Sequence, residues 1–485
     1  MKINGREKDI ALLEQLYESK RPEFVVVYGR RRVGKTYLVS ELFKSRFTFY
    51  HTGLSPIQQD KTNILREQLY AFYTTLRSYG LDSDVPQPKN WLDAFELLKS
   101  LLIRKKNGKR QVVFIDEMPW LDTPRSRFIT AFEHFWNGWG ARQEDLMLIV
   151  CGSATSWMKQ TLVNNKGGLY NRITREIKIL PFNLHETEQL LHDNGVKWSR
   201  YDIAQFYMIA GGIPQYINFV QPKQSLPQAV DAIFFADQAP LKQEFERLFG
   251  SLFNNAEEYM KVVRLVGKTH IGLTRKDILE KLKKNDGGTF SSILKNLVMS
   301  DFLLPYTSFS ENKWQERYKL IDPFCRFHLM FMEGKNQPSD FWQQNGTSGQ
   351  LNSWRGNAFE ELCFNHIPQI KTALGISQVS TTISKWALQG SSSVKGSQID
   401  MIIDRADNIV DLCEMKFSNG QYAIDKSYDL TLRDRLQSLS ERLPKRKMPH
   451  LIFITSFGLK QNEYASLVQD DITLDELFNA DRYHV

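Results

Sequence analysis

Cysteine is scarce: the 485 residues hold four, Cys151, Cys325, Cys363 and Cys413. No two form a CxxC pair, so neither a zinc site nor a disulfide framework is expected, and each reads as a buried, reduced thiol. Long apolar runs are missing as well. No window approaches the roughly 20 apolar residues of a membrane helix, and the opening stretch MKINGREKDI lacks the apolar centre of a secretory signal. A cytoplasmic protein without a membrane partner is expected. Internal repeats and low-complexity tracts are also lacking, which excludes solenoid and disordered classes. What is present is a globular composition, 42% hydrophobic and 24% charged, at a length that suggests about three domains.

The net charge of +8 and a pI near 9.0 permit nucleic-acid binding without requiring it. Basic clusters occur at Arg104, Lys105, Lys106, Lys109 and Arg110, and at Arg442, Lys445, Arg446 and Lys447. Taken alone, each reads as solvated surface.

Residues 24–28, Phe-Val-Val-Val-Tyr, are a β-rich apolar run, followed at once by Gly29-Arg30-Arg31-Arg32-Val33-Gly34-Lys35-Thr36 and Tyr37. This predicts strand, GxxxxGKT phosphate loop, helix. The two glycines permit a backbone path whose N–H groups point at phosphate oxygens, and the helix N-terminus adds partial positive charge. Lys35 is placed to reach the β- and γ-phosphates of ATP, and the Thr36 hydroxyl to ligate Mg²⁺. A second apolar strand, 111–115, ends in Asp116 and Glu117. There Asp116 is expected to hold the metal's water shell, and Glu117 to orient or deprotonate the attacking water. A third apolar run, 146–151, leads into Gly152-Ser153-Ala154-Thr155.

Together with Ile3-Asn4-Gly5-Arg6-Glu7, Leu169-Tyr170-Asn171-Arg172 and Ala210-Gly211-Gly212-Ile213-Pro214, these motifs resemble the archaeal-type ATPase family, which lies near the STAND branch of AAA+ proteins. The resemblance implies an α/β P-loop AAA+ core over 1–182 and a helical lid over 183–250. It makes Ser153, with Thr155 second, the residue that senses the γ-phosphate. It makes Arg172, or alternatively Arg175, a finger that reaches a neighbouring subunit's ATP, and so implies an ATP-dependent homo-oligomer. Residues around Asn4 and Gly5 would line the adenine pocket, and the lid segment containing Pro214 would close over it.

From 251 to 334 the pattern changes. Residues 257–267 predict a helix, Thr274 caps another over 275–284, Gly287-Gly288 breaks it, and 289–300 form a third. Two apolar segments, 302–306 and 316–321, flank a polar tip at 310–313. Three helices and a hairpin predict a winged helix. The third helix offers Thr289, Ser291, Ser292, Lys295 and Asn296, a set with one base, so DNA reading and a packing role both stay open.

A polar stretch, 335–353, reads as a linker. Beyond it a helix carries Glu360 and Glu361, one strand carries Asp400 and Asp404, and another Glu414 and Lys416. Glu414 and Lys416 are two apart, so both leave one face. With a five-residue turn over 405–409, Asp404 pairs with Val410 and Asp400 falls opposite Glu414. Two carboxylates and a lysine then converge where a Mg²⁺ ion could activate water at a phosphodiester. The arrangement resembles the PD-(D/E)XK nuclease superfamily, with Asp400, Glu414 and Lys416 matching D…ExK and Glu360, or alternatively Glu361, the acidic helix residue. That resemblance implies an α/β restriction-endonuclease-like domain over 354–485 acting on nucleic acid. The competing expectation is a regulatory ATPase whose C-terminal domain only binds.

Overall fold

The computed structural model describes residues 3–55, 63–308, 315–346, 348–388 and 397–480. The chain divides into two compact units, Met1–Pro181 with Gly250–Asn254, and Phe182–Phe249 with Asn255–Val485.

The first unit is built on a parallel sheet of β1 (Glu23–Tyr28), β2 (Phe47–Thr52), β3 (Gln111–Asp116), β4 (Leu146–Gly152) and β5 (Arg175–Lys178), in the order β2-β3-β4-β1-β5. Every residue of β1, β3 and β4 is buried. Their unbroken apolar runs follow from that, since a parallel sheet is covered on both faces. The helices Ile64–Ser78, Trp91–Arg104 and Phe128–Gly138 supply Phe72, Trp91, Phe95, Phe128 and Phe132 to one core. Edge-to-face contact of Trp91 with Phe128, centroids 4.9 Å apart, fixes their packing. Because β1 lies between β4 and β5, the carboxyl ends of β1, β3 and β4 open on one rim, where such sheets place ligands.

The first basic cluster is absorbed into this unit. Arg104 pairs with Asp82, Lys106 with Asp145, and Arg110 donates to the carbonyls of Arg21 and Glu144.

The second unit opens with helices, among them Leu184–Asp193 and Arg200–Ala210. At the Gly-Gly-Ile-Pro break the Phe182 N–H donates to the Gly212 carbonyl at 2.6 Å. A Cβ on Gly212 would stand 1.8 Å from the Phe182 oxygen, so only glycine fits. Pro214 begins the short helix Pro214–Ile217, as proline does at a first helical position. Helices Ala256–Gly267, Arg275–Leu282 and Gly288–Met299 follow where the sequence predicts them, and the Thr274 side chain accepts from the Asp277 N–H as the expected cap. The expected hairpin tip at 310–313 lies outside the described residues.

An eight-stranded sheet spans this unit: β6 (Leu273–Thr274), β7 (Leu303–Ser308), β8 (Gln315–Leu320), β9 (Thr381–Leu388), β10 (Ser397–Arg405), β11 (Ile409–Lys416), β12 (Met448–Thr455) and β13 (Asp470–Thr473), in the order β13-β12-β11-β10-β9-β7-β8-β6. Strands β9, β10 and β11 run antiparallel, whereas β11, β12 and β13 are parallel, with the helix Lys426–Ser440 crossing between β11 and β12. Among the described residues, β7 joins β9 through the pair Ser308 with Lys385.

The stretch 335–353 is not the open linker its composition predicts. It contains the helix Phe341–Asn345 and the start of Gly349–Asn365. Trp342 is 1% exposed and meets Trp354 edge to face at 5.7 Å. Ser348 of this stretch serves as a cap, accepting from the Leu351 N–H, and the distant Asp231 carboxylate takes the N–H groups of Trp342 and Gln343. No helix among the described residues is long and apolar enough to cross a membrane. All four cysteines are buried, and none forms a disulfide.

Candidate functional site

Strand β1 ends in a loop whose geometry depends on its first glycine. Gly29 has φ +147°, and a Cβ there would stand 2.2 Å from the Ile179 oxygen. Gly34, with φ +90°, caps the helix Lys35–Leu42. Val33 and Arg30 are buried, Arg31 and Arg32 partly so, and Tyr37 is exposed. The Lys35 ammonium donates to the Arg30 carbonyl at 2.9 Å and so lies curled into its own loop. Burial lowers its pKa, opposed by the charges of Glu117 and Asp116.

The end of β3 meets this loop. The Thr36 hydroxyl lies 3.1 and 2.9 Å from the two oxygens of Asp116. Burial, and then Glu117 beside it, raise the Asp116 pKa, while the Thr36 bond opposes the rise. Glu117 turns out of the strand with φ 46°, and its carboxylate accepts from the Ser153 hydroxyl at the end of β4. Ser153 therefore faces the carboxylate expected to handle water. The Thr155 hydroxyl has no hydrogen-bond partner among the described residues.

Arg6, in the left-handed region with φ 68°, sends its buried guanidinium to the Val33 carbonyl at 3.0 Å and braces the loop from behind. Its motif was visible in the sequence, but its role was not. Arg172 and Arg175 are exposed and make no ion pair with a described residue. Pro214 belongs to the second unit.

In the second unit the register is the expected one. Asp404 pairs with Val410 and Met401 with Cys413, and one step further Asp400 stands beside Glu414. Asp400 accepts from the Met415 N–H at 3.0 Å. Burial raises its pKa and Glu414 adds to the rise, against the opposing Lys416. Glu414 is fully buried and heavily engaged. It accepts from the Tyr428 hydroxyl at 2.6 Å, from Arg435 at 2.5 Å and from Lys416 at 3.4 Å. Burial works against the Lys416 ammonium, but Glu414, Tyr428 and Asp400 outweigh it and raise its pKa.

Tyr428 and Arg435 escaped sequence reading because they sit on the crossover helix, distant in sequence from the strand they serve. The helix carboxylates are each paired with a lysine. Glu360 accepts from Lys385 at 2.7 Å, and Glu361 pairs with Lys319. Among the described residues no group of three His, Cys, Asp or Glu side chains stands ready to hold a metal.

Comparisons with known proteins bear on the first of these sites. Residues 4–220 match the family described as an ATPase domain predominantly from Archaea. An uncharacterized protein of Methanocaldococcus jannaschii is 23% identical over 341 residues, which cover 67% of this chain and 68% of the relative. An uncharacterized ATP-binding protein of the same archaeon is 21% identical over 318 residues, covering 58% of this chain and 86% of the relative. Among solved structures, the Walker-type ATPase of Pyrococcus abyssi is similar with a TM-score of 0.47 at 18% identity, covering 68% of this chain and 96% of that one. Over residues 4–220, then, the chain is similar to an ATPase domain predominantly from Archaea.

Proposed function

We propose that ATP hydrolysis in the first unit controls a nuclease-type effector over residues 354–485 that acts on nucleic acid. In this reading 183–250 is the helical lid, 251–334 a winged helix, and the first unit the AAA+ core. The observation that carries the effector assignment is the convergence of Asp400, Glu414 and Lys416 on adjacent strands. The order helix, carboxylate strand, ExK strand supports this reading.

At the ATP site, Lys35 would leave the Arg30 carbonyl for the terminal phosphates, and Glu117 would orient water. Thr36 and Asp116 present hard oxygen donors within 3.1 Å of each other, a set that fits Mg²⁺. The ion would neutralise phosphate charge there. At the second site the residues as arranged do not fit a divalent cation, because Glu414 is committed to Arg435, Tyr428 and Lys416 and Glu360 to Lys385. Lys416 is the group that would hold the phosphodiester. Arg172, exposed in the segment before β5, would complete a neighbour's ATP site in an ATP-dependent homo-oligomer.

A second reading keeps the ATPase and reduces the C-terminal domain to binding. The engagement of Glu414 by two cations favours it. Incubation with ATP, Mg²⁺ and single-stranded or duplex DNA and RNA separates the two. Cleavage that disappears in Asp400→Ala and Lys416→Ala while ATP hydrolysis persists supports the effector. Binding without cleavage supports the second reading, and failure to bind any nucleic acid rejects the effector and leaves the second reading with another partner.

A further inference from the structure

The edge that carries Lys416 is capped by three stacked rings. Tyr201, in the first turn of the helix Arg200–Ala210, lies on Phe417 with centroids 4.6 Å apart and planes 5° from parallel. It also lies on Phe457 at 5.2 Å and 30°. Phe417 follows Lys416 directly at the carboxyl end of β11, and Phe457 stands just past the carboxyl end of the neighbouring parallel strand β12. The Tyr201 hydroxyl hydrogen-bonds Asn419, and the adjacent Arg200 pairs with Asp475 at 3.2 Å. Phe457 is 44% exposed, so the stack is open to solvent on one side.

We infer that Tyr201 occupies the stacking place of an unpaired nucleobase, so that the helix Arg200–Ala210 plugs a binding edge for single-stranded nucleic acid. The inference rests on the nucleic-acid reading above and names both the substrate class and its regulation. A base stacks on an aromatic side chain in the same near-parallel arrangement that Tyr201 and Phe417 adopt. Two observations favour that use over ordinary core packing. The rings lie at the carboxyl ends of parallel strands, where α/β sheets bind ligands. Successive residues leave opposite faces of a strand, so Lys416 and Phe417 straddle the edge. A strand crossing it would set its phosphate at the ammonium and its base on Phe417. Only unpaired bases offer a free face, which excludes duplex.

Fluorescence anisotropy of the full chain with a labelled oligothymidylate and with a duplex of equal length tests this. Opening the plug with Tyr201→Ala should tighten single-strand binding roughly tenfold, the worth of one base stack, and leave duplex binding unchanged. Tyr201→Phe, which keeps the ring, should behave like the parent. Phe457→Ala placed on Tyr201→Ala should remove the gain. Unchanged ATP hydrolysis and thermal midpoint show that each variant is folded. Equal single-strand affinity in the parent and Tyr201→Ala overturns the plug while leaving the nucleic-acid reading intact, as does an equal gain for duplex. No binding of either probe by any variant overturns both.

Discussion

The Ser153 hydroxyl lies 3.1 and 3.0 Å from the two carboxylate oxygens of Glu117, and the Ser153 N–H lies 3.3 Å from one of them. A serine expected to sense phosphate thus holds the carboxylate expected to handle water. Glu117→Gln should keep ATP binding and lower turnover by roughly 10²–10⁴, the usual worth of a positioned base. Ser153→Ala should lower turnover by a smaller factor, about tenfold to a hundredfold, because Glu117 remains but loses its alignment. Steady-state hydrolysis and binding of a fluorescent ATP analogue check both. Parental turnover in Glu117→Gln would refute the assignment.

The first unit should lose stability in mild acid through one histidine. His51 on β2 is buried, its Nδ1 lies 2.9 Å from the Thr75 hydroxyl, and burial pushes its pKa from 6.5 down to about 4. The fold therefore holds the ring neutral. Between pH 6.5 and 4 the unfolded chain takes up a proton that the folded chain refuses, so stability falls as pH falls through that window. The full loss is about 3 kcal/mol below pH 4. Urea titrations of the parent and His51→Gln at pH 7 and pH 4.5 measure it. The variant should be less stable at pH 7 but show a shallower acid slope, and identical slopes would show that His51 does not contribute.

The legible parts of the fold were those in which local pattern and tertiary role agree. The strands ending at Tyr28, Asp116 and Gly152 are buried on both faces, and their apolar runs announce them. Thr274 announces a helix because capping is local chemistry. The β10–β11 register followed from turn length alone. Trp342 was hidden for the opposite reason: its sequence neighbours have the composition of a spacer, and the carboxylate that takes its N–H, Asp231, lies far away in the chain. Arg435 and Lys385 were hidden because sequence shows which residues share a strand face, but not which distant cation neutralises them.

Arg172 gives the oligomer its test. Arg172 and Arg175 are exposed, and a finger supplied in trans is worth roughly 10³–10⁵ in phosphoryl transfer. Arg172→Ala should keep ATP binding and lose most hydrolysis. Lys35→Ala should lose ATP binding by roughly two to three decades, because the cation that meets the phosphates is gone. Mixing the two inactive proteins should restore part of the activity, since each Lys35→Ala subunit still offers its arginine to a neighbour's intact loop. Light scattering with a non-hydrolysable ATP analogue should show a mass above the monomer. Full activity in Arg172→Ala with an unchanged monomer mass would remove the finger.

The fully buried Glu414 has the most to lose from losing a partner. Arg435 meets one of its oxygens at 2.5 Å, while Tyr428 and Lys416 meet the other at 2.6 and 3.4 Å. Arg435→Met keeps much of the side chain's bulk but leaves that oxygen without its cation. Breaking a buried pair in this way costs on the order of 3 kcal/mol. Tyr428→Phe removes one hydrogen bond to a charged group and should cost about 2 kcal/mol. Lys416→Met should cost less than Arg435→Met, because its contact is longer and its side chain is one-quarter exposed. Chemical denaturation of each variant, read at the transition of the second unit, ranks the three. The same variants ask whether Arg435 is what keeps cations out. With the carboxylate released, Mn²⁺ should raise the thermal midpoint of Arg435→Met and leave the parent's unchanged. If Mn²⁺ stabilises both equally, Arg435 does not exclude the ion. If it stabilises neither, Asp400 and Glu414 form a structural pair, and the C-terminal domain is left with binding alone.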